Sequence, residues 1–582
     1  VMRHILLATL LSTAVFAQTE GKTDSLPKNP GTFKIDSIQY EIGDAFDDSK
    51  YHTKYDKWAY DFLNWIHIET RESTVRKLLL FNQGDTVDSI MLQESERFLR
   101  TQRYLSDASI RVENEDGKNV AHVKTSDNWT LVVPAGIGFG GKEWSYKNLN
   151  WILGIQEGNF LGLGQRIEII YIHEYFRDTW KLDYSAPHFL FRYNKLDLTF
   201  ANNTDGYLAS WQMYVPFMNR NQNQWAYTLA GLKNKRTIHV FGSGDLPPGA
   251  VPYETSTPLD SLPKYNGKET VTLMRFRNFA EDSLSLHFSR SFGDSKRKLY
   301  VGATYDYLRQ EADRDSLFLK TFRQGDQSYI IDTPAVWNDW APEVLDSRLG
   351  LYLTLSNLYY VKEKNLNNVK WTEDVEKGYS IKAQVSKNYK QLGSENNDIR
   401  IDLWANLYLG RNMHHLNLSS RSRFYLDHWQ DIHDFYGRVY GEYIFHPTQQ
   451  WSTVLKGQID FYKNANYGYQ LSLGGSDGFA GFDPGYYTGQ ARVYGFLEQR
   501  YFPNFEIATL RPVLAVFGTM GETAWDIKNI NRKDLVYVLG FGLRLAQTKS
   551  TSRLVNKIDI NIPLNGARKG DIHYSVTTTT NL

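Results

Sequence analysis

The residues of this sequence that are best placed for covalent chemistry lie in a glycine-rich stretch near its C-terminal end. The letters GGSDG, Gly474 to Gly478, match the Gly-x-Ser-x-Gly pattern of serine hydrolases, in which the serine sits on a sharp turn between a strand and a helix. Here a loop that contains glycine and proline follows Ser476, and no helical pattern does. We therefore interpret these residues as loop glycines and predict no nucleophilic serine.

Metal, cofactor and phosphate sites are not indicated either. The chain has no cysteine, and its fourteen histidines include the pair His414 and His415 without a His-Glu-x-x-His spacing. The runs GFGG and LGLG lack the lysine followed by serine or threonine of a phosphate-binding loop. Glu498 and Arg500 fall on the same side of an alternating strand, where a structural ion pair is the simpler interpretation. The sequence thus predicts a protein that is not an enzyme and holds no cofactor.

Composition narrows the class of protein. The chain has 582 residues and a formal net charge of +1, which provides no general electrostatic attraction for nucleic acid. Aromatic residues make up 14% of it, with 38 tyrosines and 15 tryptophans. Such residues are typical of surfaces that are half apolar and half wet, as at a membrane interface. A soluble β-protein that binds carbohydrate through aromatic side chains would have a similar composition.

The N-terminal residues indicate export. Arg3 and His4 precede the apolar run Ile5–Ala17, which is too short for a membrane-spanning helix and ends at a small residue suited to cleavage. The sequence therefore predicts a signal peptide over residues 1–17 and a polar linker over residues 18–32.

Residues 33–126 predict a small α/β domain. FKIDSIQYEIG, which begins at Phe33, is typical of a strand, and residues 70–81 have helical spacing. A second helix is predicted after Asp88, which suits an N-cap. Two alternating runs joined at Asp116-Gly117 predict a hairpin.

Residues 127–582 are dominated by period-two alternation. In IRIDLWANLYLG, residues Ile399 to Leu409 alternate apolar and polar side chains. A β-sandwich would turn the apolar face inward, whereas a transmembrane barrel would turn it toward lipid. The length of the strands, the predicted signal peptide and the aromatic content favour the barrel. At roughly 28 residues for each strand and its connection, we predict sixteen antiparallel strands.

Several motifs in order along the chain resemble a known family. Residues Thr70–Val112 resemble a POTRA domain, the periplasmic module of the BamA-type outer-membrane assembly and translocation superfamily. EGNFLGLGQR, LGGSDGFAGF and LEQRYF resemble strands and a loop of its surface-antigen barrel. The resemblance implies an all-β transmembrane barrel of sixteen antiparallel strands preceded by one POTRA domain. It also implies the outer membrane of a Gram-negative-type bacterium, with the POTRA domain in the periplasm.

The resemblance further implies that the glycine-rich loop folds into the lumen as a lid. In the family an arginine at the loop tip pairs with an aspartate on the wall, but here Ala480 and Thr519 stand at those positions. The predicted lid residues are Gly474, Gly475, Gly478, Phe479, Ala480, Gly481 and Phe482. The predicted wall residues that face the lid are Glu498, Arg500, Phe517, Thr519 and Gly521.

The function implied by the resemblance is insertion of polypeptides into the outer membrane or their passage across it. The implied partners are outer-membrane lipid and possible unfolded polypeptide clients or accessory periplasmic or outer-membrane subunits, and no nucleic acid is expected. An edge strand of the POTRA domain with Ser109, Arg111 and Glu113 would bind clients by β-augmentation, or the domain would only orient the barrel. A passive pore or surface-structural barrel with no client is the alternative function, since loss of the Arg/Asp pair would loosen the lid.

Overall fold

The computed structural model of the chain describes most of the residues beyond the N-terminal segment. The described residues are 32–45, 61–62, 64–139, 149–174, 176–218, 222–242, 246, 250–264, 271–294, 296–313, 321–331, 343–364, 366, 372–411, 413–427, 431–466, 468–474, 479, 482, 486–507, 510–548, 555–566 and 568–579. The predicted signal peptide and almost all of the predicted linker lie outside them.

The first described residues form a small α/β unit, which we call the N-terminal unit. Its elements are β1 (Phe33–Lys34), β2 (Ser37–Gly43), α1 (Glu72–Leu78), β3 (Thr86–Val87), α2 (Ser89–Arg100), β4 (Leu105–Glu115) and β5 (Lys118–Asp127). The strands β2, β5 and β4 form a three-stranded sheet in that order, with β2 and β5 parallel. Asp88 caps α2 by accepting a hydrogen bond from the Met91 backbone N–H at 2.7 Å, as the sequence predicts for an N-cap. Apolar side chains from both helices and the sheet, including Val75 and Leu99, form its core.

The rest of the described chain closes into a β-barrel. Its strands are β6 (Leu131–Val132) with β7 (Ala135–Phe139), β8 (Leu149–Phe160), β9 (Gln165–His173), β10 (Asp178–Ala186), β11 (Lys195–Asn203), β12 (Gly206–Val215), β13 (Trp225–Gly242), β15 (Val271–Gly293), β16 (Arg297–Glu311), β19 (Val344–Lys364), β20 (Thr372–Asn388), β21 (Ile399–Arg411), β22 (His414–Asp427), β23 (Asp431–Thr448), β24 (Trp451–Lys463), β27 (Ala491–Tyr501), β28 (Leu510–Ala524), β29 (Val536–Gln547), β30 (Val555–Pro563) and β31 (His573–Thr579). Because β6 and β7 both pair with β8, they form one interrupted strand. The described residues therefore make a closed antiparallel barrel of twenty strands.

The prediction of sixteen strands is wrong because many connections are much shorter than the estimate allowed. β11 ends at Asn203 and β12 begins at Gly206. Likewise, β21 ends at Arg411 and β22 begins at His414. Such tight turns leave room for more strands in the same length of chain. The long connections lie on the opposite end from the N-terminal unit, where β14 (Ala250–Pro252), β17 (Thr321–Gln324) and β18 (Gln327–Ile331) pair into a separate small sheet.

Alternation along the strands gives the barrel an apolar outer face and a polar lumen. On β28, Leu514 and Val516 are exposed on the outside, whereas Thr519 is buried on the inside. The same holds for β10 and β11, where Thr199 donates a hydrogen bond to Asp183 within the lumen. Outward apolar and inward polar residues are the arrangement of a transmembrane barrel rather than a sandwich. Among the described residues, no helix is both long and apolar enough to span a bilayer.

The N-terminal unit is bonded to turns at one end of the barrel. Gly162 and Gly164 in the β8–β9 turn have φ of +72° and +66°, and an added Cβ would lie 2.4 Å from the Glu69 carbonyl oxygen and 2.6 Å from the Tyr104 ring, respectively. The LGLG run is thus a contact with the N-terminal unit that only glycine permits. Burial raises the pKa of the Tyr104 hydroxyl well above its ordinary value, with a smaller effect from Asp127, so this tyrosine stays protonated.

A second attachment reaches the hairpin of β19 and β20. Arg100 of α2 pairs with Asp374 at 3.0 Å, and the Arg97 guanidinium lies 4.5 Å from the centre of the Tyr360 ring. The predicted fold class, a sixteen-stranded barrel preceded by a POTRA domain, is corrected: the described residues form a twenty-stranded barrel and a small α/β N-terminal unit that is bonded to several of its turns.

Candidate functional site: lid, lumen and seam

The connection between β24 and β27 carries aromatic side chains into the lumen. Phe479 and Phe482 are 0% and 1% exposed and pack with Tyr486 of the same connection and with Val536 and Val538 of the inner wall. The wall residue Tyr494 of β27 packs against this cluster, 6.5 Å from Phe479 between ring centres. We call this connection the lid.

A glycine on the wall makes room for the lid. A Cβ added at Gly521 of β28 would lie 2.8 Å from Leu473 Cδ1 and 3.2 Å from Phe479 Cζ. Both of those side chains belong to the lid and its flank, so a larger residue would displace them. Gly521 was predicted as a wall residue from the motif pattern, and this close approach gives the physical reason for glycine there.

Two polar contacts fasten the lid at opposite sides of the lumen. The Gln470 amide donates to the Phe241 backbone oxygen at 2.6 Å and accepts from the Phe241 N–H at 2.9 Å, which ties the lid to the end of β13. On the other side, Arg492 of β27 donates to the Ser472 backbone oxygen at 2.7 Å and pairs with Asp460 at 2.9 Å. The lid thus crosses the lumen between β13 and the β24–β27 wall.

Part of the predicted lid lies outside the described residues, namely Gly475, Gly478, Ala480 and Gly481. Gly474 follows β25 (Leu471–Leu473), which pairs with β26 (Tyr487–Gly489) at the base of the lid. Thr519, where the resemblance expects an aspartate, is buried on the inner wall. The Arg492–Asp460 pair, which the sequence analysis missed, is an arginine–aspartate pair at the lid, but both partners belong to the wall.

Next to the lid, four charged side chains form a buried network on the inner wall. Glu498 accepts from Arg500 at 2.6 Å and from Arg544 at 3.0 Å. Arg544 also pairs with Asp559 of β30. All four side chains are almost completely buried, so each charge depends on its partners for compensation. Glu498 and Arg500 form the ion pair that the sequence analysis favoured. Arg544 and Asp559 enlarge this pair into a network of four charged side chains.

Two glycines of β29 provide the space for this network. A Cβ at Gly542 would lie 2.2 Å from both Arg544 and Asp559, and one at Gly540 would lie 2.1 Å from the Phe517 ring. The Arg544 guanidinium lies 5.5 Å from the centre of that ring. The alternation of glycine with large residues in LGFGLRL is a signal that could have located this network from the sequence.

The barrel closes at a seam between its first and last strands. In the described residues, β31 pairs with β7 only through Ser575 with Gly138 and Val576 with Ile137. In addition to this backbone pairing, the Thr578 hydroxyl donates a hydrogen bond to the Ala135 carbonyl oxygen at 2.7 Å. By contrast, β31 pairs with β30 continuously from Asn561 to Val555. Pro134 and two glycines weaken the first strand, so the seam has the shortest described pairing between neighbouring barrel strands.

The lid reaches the last strand of the seam. Phe482 lies 6.0 Å from His573, measured between ring centres, and His573 is the first residue of β31. Arg568, which precedes β31, lies over the Phe482 and Tyr486 rings. Movement of the lid would therefore change the packing of the last strand.

The structure places Ser109, Arg111 and Glu113 on β4, which is an edge of the three-stranded sheet. The free edge is partly occupied: the Ile110 N–H donates to Glu96 at 2.9 Å, and Arg100 donates to the Ala108 oxygen at 3.4 Å. Because backbone groups of successive residues point to opposite sides of a strand, the outward groups belong to the even-numbered residues here. The backbone of the three predicted residues instead points toward β5. Their part in binding polypeptides stays a prediction.

One cluster in the described residues could hold a cation. Glu113, Glu115 and His122 bring ligand atoms within 4.8 Å of one another on the hairpin of β4 and β5. His122 and Glu115 already share a hydrogen bond of 2.9 Å, and both glutamates are exposed. Exposed carboxylates of this kind are ordinary solvated surface, and no function is built on them.

Comparisons with known proteins identify structures of similar architecture but no family. No protein-family model matches the chain, and no curated protein does. Among solved structures, BamA from Haemophilus ducreyi lacking POTRA domains 1–3 is similar with 12% identity over 94% of this chain and 84% of that chain, at a TM-score of 0.37. CdiB from Escherichia coli is similar with 12% identity over 99% of this chain and 97% of that one, at 0.42. CdiB from Acinetobacter baumannii is similar with 10% identity over 99% of this chain and 96% of that chain, at a TM-score of 0.40. The function proposed below therefore rests on the geometry of the chain itself and on its motifs.

Proposed function

We propose that this protein is an outer-membrane barrel that inserts polypeptides into the outer membrane or passes them across it. The observation that carries the proposal is the seam, where the described pairing of β7 with β31 is limited to Gly138–Ser575 and Ile137–Val576. The sequence motifs that resemble the outer-membrane assembly superfamily support it. In this proposal the N-terminal unit lies in the periplasm and the long connections lie at the cell surface.

The physical route is strand templating at the seam. Backbone groups freed when β7 and β31 separate can pair with an incoming strand, which in lipid has no other partner for its N–H and C=O groups. Among the described residues, opening this seam separates two paired positions, whereas opening β30–β31 separates the continuous pairing from Val555 to Asn561. The partners are membrane lipid and unfolded polypeptides, with accessory subunits as further candidates.

The N-terminal unit leads directly into the first strand of the seam. Its last strand, β5, ends at Asp127, four residues before the first barrel strand begins at Leu131. Asp127 accepts hydrogen bonds from the Thr70 N–H at 2.7 Å and pairs with His67 at 3.2 Å. The end of β5 at Asp127 is thus held next to the start of the first barrel strand, whereas the open part of the β4 edge lies toward the other end of the hairpin.

The alternative function, a passive pore, is not favoured by a specific observation. The lid buries Phe479 and Phe482 inside the lumen and is tied to both sides of it. A wide and steady channel would require that cluster to leave its place.

Locking the seam tests the proposal. The chain has no cysteine, so Ile137→Cys with Val576→Cys introduces the only thiols, at positions directly opposite across the seam. A short, reducible bifunctional thiol reagent is expected to abolish polypeptide insertion or translocation, because the strands can no longer separate. Reductant is expected to restore it.

The matched control keeps Val576→Cys and changes its partner to Ile558→Cys, which is opposite Val576 on the other side of β31. Bridging that pair is expected to leave activity unchanged, because β30 and β31 need not separate. If the seam-bridged protein inserts and translocates polypeptides as well as the control, the proposed route is wrong.

A further inference from the structure

The turn between β10 and β11 exposes three consecutive large apolar side chains. Phe189, Leu190 and Phe191 are 47%, 66% and 52% exposed. The turn is nevertheless well held, since the Phe189 N–H donates to the Asn194 oxygen at 2.8 Å and the Asn194 side chain donates to Tyr227 at 2.7 Å. Exposing such a run to water costs free energy. Three apolar side chains held in place on the surface therefore indicate that they bind an apolar partner.

The level of the turn in the barrel identifies that partner. β10 (Asp178–Ala186) and β11 (Lys195–Asn203) have nine residues each, about 30 Å along the strand and about 21 Å along the barrel axis at a tilt of about 45°. The apolar band of a membrane barrel is about 25 Å tall. The band must therefore cover these strands from end to end, which puts their turn at the boundary of the bilayer.

The outer faces of the two strands are continuous with the turn. Trp180 and Leu182 on β10 and Leu198 and Phe200 on β11 are exposed on the lipid side. The turn itself, Pro187–Asn194, contains no acidic residue, so nothing in it is repelled by lipid phosphate. Phenylalanine and leucine next to such a lipid-facing wall suit the boundary between headgroups and acyl chains.

The opposite side of the same turn holds the N-terminal unit. Arg192 donates to the Lys77 carbonyl oxygen at 2.8 Å and to that of Leu79, and the Tyr193 hydroxyl donates to the Leu79 oxygen at 2.6 Å. These carbonyls lie at the C-terminal end of α1, where a helix leaves its last carbonyls without partners. The turn is thus a connector with one polar side on the unit and one apolar side exposed.

We propose that Phe189, Leu190 and Phe191 insert into the headgroup–acyl boundary of the bilayer leaflet on the side of the N-terminal unit, and that the turn thereby fixes this unit at the membrane surface. This lipid-binding surface is separate from the lumen and the seam, and it does not depend on the proposed transport function.

Depth-dependent quenching tests the proposal. Leu190→Cys gives a single thiol in the full-length chain for an environment-sensitive fluorophore, and the exposure of Leu190 means that the change leaves the barrel folded. The protein is reconstituted into phosphatidylethanolamine and phosphatidylglycerol vesicles that contain phosphatidylcholine carrying a nitroxide on the headgroup or deep in the acyl chain. Headgroup nitroxide is expected to quench the label at position 190 at least about threefold more than a label at Lys118→Cys, on the distant β4–β5 hairpin.

A second reference is Leu497→Cys on the outer face of β27. Its label is expected to respond more to the deep nitroxide than to the headgroup nitroxide, and the label at position 190 is expected to show the reverse order. If the label at position 190 is quenched no more than the one at position 118, the turn does not reach lipid. Protection of the label only when an unfolded polypeptide is added would equally overturn the proposal, because the partner would then be a protein.

Discussion

Replacing Phe479 with alanine is expected to open the lumen of the barrel. Phe479 is completely buried in the lid cluster, and removal of a buried phenylalanine side chain costs about 3–5 kcal/mol. If the lid moves as a unit, that cost shifts the ratio of closed to open lid by roughly two to four powers of ten. Single-channel recording in planar bilayers should therefore show a large rise in the open probability.

The control for this change is Leu455→Ala on the outer face of β24, where the leucine is exposed to lipid. It removes a large apolar side chain from the barrel without touching the lid, and its conductance should equal that of the unchanged protein. Gly521→Ala changes the wall instead of the lid, because its Cβ would crowd Phe479 and Leu473. This variant should also raise the conductance. A folded Phe479→Ala protein with unchanged conductance would show that the lid does not close the lumen.

Replacing Arg544 with methionine is expected to destabilise the barrel by about 3–5 kcal/mol, the usual cost of removing one partner from a buried ion pair. The change leaves Asp559 without its arginine and Glu498 with Arg500 alone. The loss should appear as a lower denaturant midpoint for unfolding from detergent micelles or bilayers.

Removal of the stranded charges supplies the control. Arg544→Met combined with Glu498→Gln, Arg500→Met and Asp559→Asn removes the four charges of the network together, so that none of them is left without its partner, and should recover most of the loss. Gly542→Ala should destabilise through crowding of the same pair, whereas Gly518→Ala meets only the Val538 oxygen at 4.0 Å and should be tolerated. If Arg544→Met unfolds at the midpoint of the unchanged protein, the network does not stabilise the barrel.

The sequence predicted much of the architecture because alternation and glycine patterns are local signals. The lipid-facing and lumen-facing sides of β21 follow from the alternation in IRIDLWANLYLG, and the cap at Asp88 follows from residue type. The place of Phe479 and Phe482 inside the lumen follows from the resemblance of the glycine-rich loop to the family's lid. In each case a few neighbouring residues determine the result.

The features that the sequence could not supply depend on strands far apart in the chain. The number of strands depends on which turns are tight, and turns such as Arg411 to His414 carry little sequence signal. The tie between Gln470 and Phe241 joins residues from different sides of the barrel. The occupation of the Ala108 and Ile110 backbone groups by Arg100 and Glu96 of α2 likewise depends on how the helix packs on β4 and carries no sequence signal.

The central claim is that polypeptides pair with the last strand at the seam, and site-specific photo-crosslinking in cells tests it most directly. A photoreactive amino acid is placed at Val576 on β31, beside the seam, and at Leu455 on the outer face of β24 as the reference. The account predicts adducts with other outer-membrane or exported polypeptides at Val576, and none at Leu455. The cells must be assembling and exporting such polypeptides during the experiment. The central claim would be contradicted if Val576 then formed adducts only with lipid or with the protein's own first strand.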